Sequence, residues 1–379
     1  MMMTHDTTSD GRMLPATASI PAPRRLLHPL LAAMLISAAL VTGCGETFDT
    51  DKLGVTRPPD TFGDTTYILQ QPMWSGFNAP ADVHVGYEPF IYVAERGADR
   101  IAMLDLSGAL VGRSVRVPRP TAIGQDHRLQ LLVCGEFDTT IGGAPITYGA
   151  VYRIDLYAAQ HDISRAVVHR VYWEPVNATR RFTGVGVLAD NSYYVARTGP
   201  NNASIIDPDD AILYFSRDDV LQSRAAWPTL SADGTGLGTI TRPTGLAVFP
   251  KPGTDFVFTQ SGQKSLFRTQ WMTRRTTGDV SQWESYYQPD RDGDIPFLRV
   301  SLFHRPEDAA IDGSGNMFVI DAGSDSLFRF NNSGFITQAF GGSTQFNAPE
   351  GVAFFDRTVY IADTGNNRIL RFILSTDLQ

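Results

Sequence analysis

The stretch Phe346–Phe372, FNAPEGVAFFDRTVYIADTGNNRILRF, decides the reading of the rest of the chain. A polar turn with Pro349 and Gly351 leads into an apolar run, Val352 to Phe355. A charged break at Asp356 and Arg357 precedes a second alternating run, Val359 to Ala362. Asp363-Thr364-Gly365-Asn366-Asn367 then turns tightly into a third, Ile369 to Phe372. Period-two patterning, β-branched and aromatic residues, and turn residues at both breaks predict three short antiparallel strands. One such unit cannot bury its own faces, so it needs copies of itself.

Copies are present. Pro306-Glu307-Asp308-Ala309-Ala310-Ile311 runs through Met317–Gly323 to Ser326–Phe330, matching step for step. Near the other end, Pro80-Ala81-Asp82-Val83 leads to Ile91–Gly97 and Arg100–Leu104. Weaker copies start at Pro120-Thr121, Phe182-Thr183 and Pro243-Thr244, with second strands ending near Gly135, Gly199 and Gly262. Six units of this kind predict a radial array in which each sheet buries its faces against its neighbours. The pattern resembles the NHL repeat, the blade motif of a class of β-propellers. The resemblance implies an all-β, six-bladed propeller of four-stranded antiparallel blades over residues 64–379.

The last copy runs out soon after Phe372, while an orphan alternating run, Thr66-Tyr67-Ile68-Leu69, precedes the first. Both defects vanish if the N-terminal strand completes the final blade, closing the ring and leaving no exposed edge.

Residues 1–43 have the shape of a signal peptide: a polar start, Arg24-Arg25, and an apolar run, Leu30 to Val41, short for a bilayer. It ends in Leu40-Val41-Thr42-Gly43-Cys44, which resembles the bacterial lipobox. That resemblance implies acylation of Cys44 and a protein held on a membrane by lipid alone, with Gly45 favouring the outer membrane of the cell envelope. Residues 44–63, polar with Pro58-Pro59, are expected to be a tether. Cys134 then has no partner for an intramolecular disulfide; Leu131-Leu132-Val133-Cys134 reads as a buried strand end.

The chain carries a formal net charge of −8. Residues 1–43 hold three Arg against two Asp, leaving −9 on the remainder. Such a body disfavours nucleic acid as a partner.

Successive units begin at Pro80, Pro120, Phe182, Pro243, Pro306 and Pro349, at intervals of 40, 62, 61, 63 and 43 residues. The extra residues of the three middle steps fall mostly where antiparallel blades place the end of strand two, the start of three and the end of four. These positions share one rim, so the insertions, including Glu136–Tyr148 and Pro200–Asp210, should decorate one face.

The residue after each unit's first position is expected at the channel mouth on that face: Ala81, Thr121, Thr183, Thr244, Glu307 and Glu350, followed by Asp82 and Asp308. An acidic arc thus faces a threonine arc. Such an arc suits a divalent cation with oxygen ligands, or an amine or hydroxyl-rich ligand. The structural alternative, and the preferred one, is that these carboxylates accept backbone N–H bonds from adjacent loops. Glu95, Asp321 and Asp363 end their second strands beside a glycine turn, and with Arg100 and Arg368 read as turn-holding pairs. Asp290-Arg291-Asp292-Gly293-Asp294 lacks the distal Glu of a calcium loop. The histidines form no ligand-spaced cluster.

Two functions follow. One is a monomeric binding module, without a cofactor, whose decorated face takes a protein, peptide or glycan. The other is a hydrolase of the lactonase or SMP-30 type, a family that resembles NHL propellers in shape and places a divalent metal at the channel mouth. Asp82, Glu307 and Glu350 offer carboxylates for that, but no Asn stands after the unit prolines. No nucleophile elbow or phosphate loop is present, and binding is the preferred reading.

Overall fold

The computed structural model describes residues 66–375, which lie within one compact unit. Six antiparallel sheets follow one another along the chain. Blade 1 is Pro80–Val85, Ile91–Glu95, Arg100–Leu104 and Leu110–Arg113. Blade 2 is Ala122–Gln125, Gln130–Ile141, Ala144–Asp155 and Val168–Trp173. Blade 3 is Arg181–Val187, Tyr193–Thr198, Ala211–Phe215 and Leu221–Arg224. Blade 4 is Pro243–Val248, Phe256–Gln260, Thr269–Thr277 and Val280–Ser285. Blade 5 is Pro306–Ile311, Met317–Asp321, Ser326–Phe330 and Ile336–Gly341. Gly351–Phe355, Thr358–Asp363 and Arg368–Leu374 make three strands of blade 6.

The fourth strand of blade 6 comes from the other end of the chain. Tyr67–Leu69 pairs antiparallel with Arg368–Leu374, Tyr67 opposite Leu374 and Leu69 opposite Phe372. A second short piece, Trp74–Ser75, continues along the same strand, opposite Ile369 and Arg368, so this sheet has five members rather than four. The expected closure is therefore observed. The expected signal peptide, the acylated Cys44 and the whole of the tether lie outside the described residues.

Each first strand contacts the first strand of the next blade, from blade 1 round to blade 6 and back, which makes the ring. Six buried apolar clusters fill the six spaces between neighbouring blades. Between blades 5 and 6, for example, Phe318, Ile320, Leu327, Phe346, Ile361 and Phe372 pack with Tyr67. Interdigitated sheets of this kind derive their stability from apolar burial on both faces. Close approach of the inner strands also explains two glycines. A Cβ on Gly351 would stand 2.6 Å from the Asp82 Cα, and one on Gly245 2.6 Å from the Asp308 Cα.

One inserted segment differs from its expected form. Glu136–Tyr148 is no loop: strands two and three of blade 2 run on to a turn at Gly142-Gly143, pairing as far as Ile141 and Ala144. Threonines at 139, 140 and 147 suit a two-stranded ribbon, and pairing the backbone satisfies groups that a loop would leave to water.

Candidate functional site

The inner strands are laced together at the very residues singled out in the sequence. Thr121 Oγ1 donates to the Phe182 carbonyl at 2.9 Å, Thr183 Oγ1 to Pro243 at 2.8 Å and Thr244 Oγ1 to Pro306 at 2.7 Å. These bonds join blades 2 to 3, 3 to 4 and 4 to 5. Asp308 Oδ2 accepts the Val352 N–H at 3.1 Å, joining 5 to 6, and Asp82 Oδ2 accepts the Ile123 N–H at 2.7 Å, joining 1 to 2. Thr364 Oγ1 completes the circle, donating to the Pro80 carbonyl at 2.7 Å. Every blade boundary thus has one polar staple close to the axis, made by a side chain of one blade on the backbone of the next.

Glu307 and Glu350 have different partners. Arg96, in the turn after the second strand of blade 1, makes a bidentate pair with Glu350 at 2.6 and 2.9 Å. Arg305 Nε lies 2.9 Å from Glu307 Oε1. The acidic arc is therefore balanced by two guanidiniums that sequence spacing did not connect to it. Ala81 is buried. Among the described residues no group of three His, Cys, Asp or Glu is arranged to hold a metal ion.

A bore of about 440 Å³ runs along the axis. Asp82 and Asp308 line its inner end, His84 and Gln125 its length. Tyr87, His127 and Pro250–Pro252, in the turns that follow first strands, line its other end. That end lies on the face opposite the insertions, whereas the sequence placed the axial concavity on the decorated face.

Burial dominates the charge states here. It raises Asp82 and Glu307 each to about 7 and Asp308 well above the usual carboxylate range, while it lowers His84 to about 4. Between pH of about 4.5 and 7 the folded protein holds a proton on Glu307 that the unfolded chain has lost, so this contribution weakens as pH rises. His84 acts oppositely: below about 6.5 the unfolded chain takes a proton that the folded one refuses until about 4. Glu307→Gln should therefore gain melting temperature relative to wild type as pH is raised through the first window. His84→Gln should gain as pH is lowered through the second. Parallel pH profiles for all three proteins, by calorimetry, would contradict these assignments.

The decorated face carries a second, larger site. The loop after strand two of blade 3 folds over Arg180 and Arg197, which are 5% and 3% exposed. Arg180 pairs with Glu174, Asp207 and Asp209 at 2.5, 2.8 and 2.6 Å; Arg197 pairs with Glu174 and Asp207 at 2.6 and 2.8 Å. Asp210, also buried, accepts from Thr198 Oγ1 at 2.8 Å, Asn202 Nδ2 at 2.7 Å and the Arg242 N–H at 2.9 Å. Two loops of blade 3 and the entry to blade 4 are thereby fixed to one another. They wall a hollow of about 570 Å³ between Pro200–Ile205, Ser231–Asp233 and Gly262–Lys264. Asn201, Asn202, Asp233 and Lys264 give it a polar wall of mixed charge. The sequence pointed to this insertion, but not to the Arg–carboxylate lattice beneath. Its signal was the coincidence of Arg180-Arg181 with the acidic run Asp207–Asp210.

The remaining candidates resolve into structure. Arg100 and Arg113 both pair with buried Glu95, at 2.9 and 3.1 Å, and Arg368 with buried Asp363 at 2.6 Å. Asp321 accepts the N–H groups of His304, Arg305 and Gly323. Pro289–Asp292 forms a helical turn in which Asp292 pairs with Arg291, and Asp294 pairs with Arg299. Cys134 is fully buried, its thiol raised far above the ordinary range by burial, which makes it an inert packing group.

Six sheets, ring closure and the spelling of the last blade meet in one comparison. Residues 346–372 match the NHL repeat. The chain is a six-bladed β-propeller whose last blade is spelled as an NHL repeat. No curated protein matches it. Among solved structures it is similar to the PQQ-bound aldose sugar dehydrogenase of Streptomyces coelicolor, at 13% identity and a TM-score of 0.57, covering 82% of this chain and 98% of that one. A putative gluconolactonase gives 11% and 0.54, covering 83% and 93%. A luciferin-regenerating enzyme gives 10% and 0.56, covering 81% and 95%. At these identities the propeller shares a fold with them, and a propeller by itself carries no particular chemistry.

Proposed function

We propose that this propeller is a binding module of the cell envelope, held to a membrane through acylated Cys44, whose decorated face takes a protein, peptide or glycan. The observation that carries this reading is the hollow over blades 3 and 4 and the buried lattice that holds its walls. Loops that must present a fixed surface benefit from being ordered before the ligand arrives, because less ordering entropy is then lost on binding. A wall of amide, carboxylate and ammonium groups suits a polar ligand rather than an apolar one.

The hydrolase reading has less support. It needs carboxylates free to coordinate at the decorated mouth. Asp82 and Asp308 are engaged as inter-blade staples, and Glu307 and Glu350 are paired with arginines.

Filling the hollow tests the binding reading. Ala203→Trp with Asp233→Trp, both at exposed positions, should change stability by no more than about 0.5 kcal/mol each. The filled protein should lose the partner that wild type retains on co-purification from native membranes. Equal retention would overturn the assignment of the face. Cys44→Ser should move the protein to the soluble fraction, and its persistence in membranes would remove the anchor.

A further inference from the structure

A third concavity, of about 530 Å³, lies between the outer parts of blades 3 and 4. It shares no lining residue with the loop-face hollow. Its floor is aromatic. Tyr194 and Tyr214 meet at 5.4 Å between ring centroids, and the Tyr194 hydroxyl is held by the Thr254 carbonyl at 3.0 Å. Trp283 forms one wall, and Trp227, 52% exposed, stands at the rim. Thr229 Oγ1 donates to the Trp283 carbonyl at 2.8 Å and ties the rim loop to blade 4.

Two guanidiniums line this groove. Arg224 lies 5.2 Å from the Trp227 ring and Arg274 5.8 Å from the Trp283 ring. Among the described residues neither makes an ion pair; Arg224 donates to the Ile205 carbonyl at 3.3 Å and feels the more distant charge of Asp207. Most arginines of this acidic protein are paired with carboxylates, and the other two concavities contain Asp82 and Asp308, or Asp210 and Asp233. The groove's lining contains no carboxylate at all.

We propose that this groove binds an acidic saccharide, with a uronate carboxylate taken by Arg224 and Arg274 and the sugar ring laid on Trp227. Each element has a physical reason. A guanidinium donates two parallel N–H bonds to a carboxylate, and contact with an indole helps hold its plane in place for that. An exposed indole gives the CH face of a pyranose a flat apolar partner, while Ser223, Ser281 and Gln282 offer hydrogen bonds to its hydroxyls. The volume falls within the range of small-ligand sites, which run from about 300 to 1,000 Å³. An acidic peptide would use the arginines but not the ring stacking.

The test is titration of the intact protein with trigalacturonate, neutral galactotriose and a tri-glutamate peptide, read by tryptophan fluorescence and calorimetry. Trigalacturonate should bind about tenfold more tightly than either other ligand, a difference of about 1.4 kcal/mol. Arg274→Gln and Arg224→Gln should each weaken it at least about tenfold, and Trp227→Ala should weaken both saccharides. Melting temperatures of the variants serve as the folding control, and the exposed position of Arg274 makes its variant the safer of the two. Equal affinity for the acidic and neutral sugars, preference for the peptide, no binding of trigalacturonate, or affinity unmoved in a folded Arg274→Gln protein would each overturn the proposal. Filling the loop-face hollow should leave trigalacturonate binding unchanged, which separates this site from the other reading.

Discussion

Removal of residues 66–71 is expected to abolish cooperative unfolding of the entire propeller. The segment is six residues long, yet it supplies the outer strand of blade 6 and the ring of Tyr67, which is 7% exposed. That ring packs edge-on against Phe318 of blade 5 at 5.9 Å and beside Phe340 at 6.1 Å, so the strand ties two blades as well as two ends of the chain. Its loss would uncover Phe372, Leu374 and an unpaired edge strand, and open the circle to fraying from both ends. Truncating a buried aromatic alone costs about 3–5 kcal/mol, against a total of about 5–15 kcal/mol for a typical domain. Tyr67→Ala should therefore already lower the melting temperature markedly, and deletion should leave no two-state transition by circular dichroism. A deletion variant that melts like wild type would mean that the ring does not depend on this strand.

The second large effect is expected at Arg180. Its guanidinium is shared among three carboxylates, and removing it leaves buried Asp209 without an ion-pair partner and Glu174 with Arg197 alone. Breaking a buried pair from one side costs about 3–5 kcal/mol, because the stranded charge has no water to return to. Arg180→Met should thus destabilise blade 3 by that order and loosen Pro200–Asp210, the wall of the hollow. Arg165→Met is the matched control: its pair with Asp162 is 69% exposed on the arginine side and should contribute no more than about 1 kcal/mol. Chemical denaturation of both variants separates the cases. An Arg180→Met protein as stable as the control would show that the lattice does not order the face.

The fold was legible because the blade unit repeats a local message. In the first, fifth and last copies, apolar alternation and a Gly turn coincide with the strands found at Pro80–Val85, Pro306–Ile311 and Gly351–Phe355. The middle copies, noisier in spelling, still begin where inner strands begin, at Ala122, Arg181 and Pro243. Closure could be read from two incomplete ends. What could not be read were partnerships across blades. Arg96 and Glu350 are separated by 254 positions, and nothing in either neighbourhood names the other. For the same reason the threonines looked like a ligand-facing arc, when their hydroxyls reach sideways to the next blade's carbonyls. Glu136–Tyr148 was misread because its polar residues resemble a loop, while the bonds that make it a ribbon come from pairing with itself. The groove aromatics Trp227 and Trp283 could be seen in the sequence, but not their convergence with Arg224 and Arg274 from two blades.

The most direct measurement of the central claim places a photo-crosslinking side chain at Asn201 or Lys264, on the walls of the hollow, and at Gly253, an exposed turn position on the opposite face. Irradiation in native membranes should give discrete adducts from the first two positions, lost when the hollow is filled, and none from the third. Adducts from Gly253 alone, or the same adducts from all three, would contradict a ligand held on the decorated face.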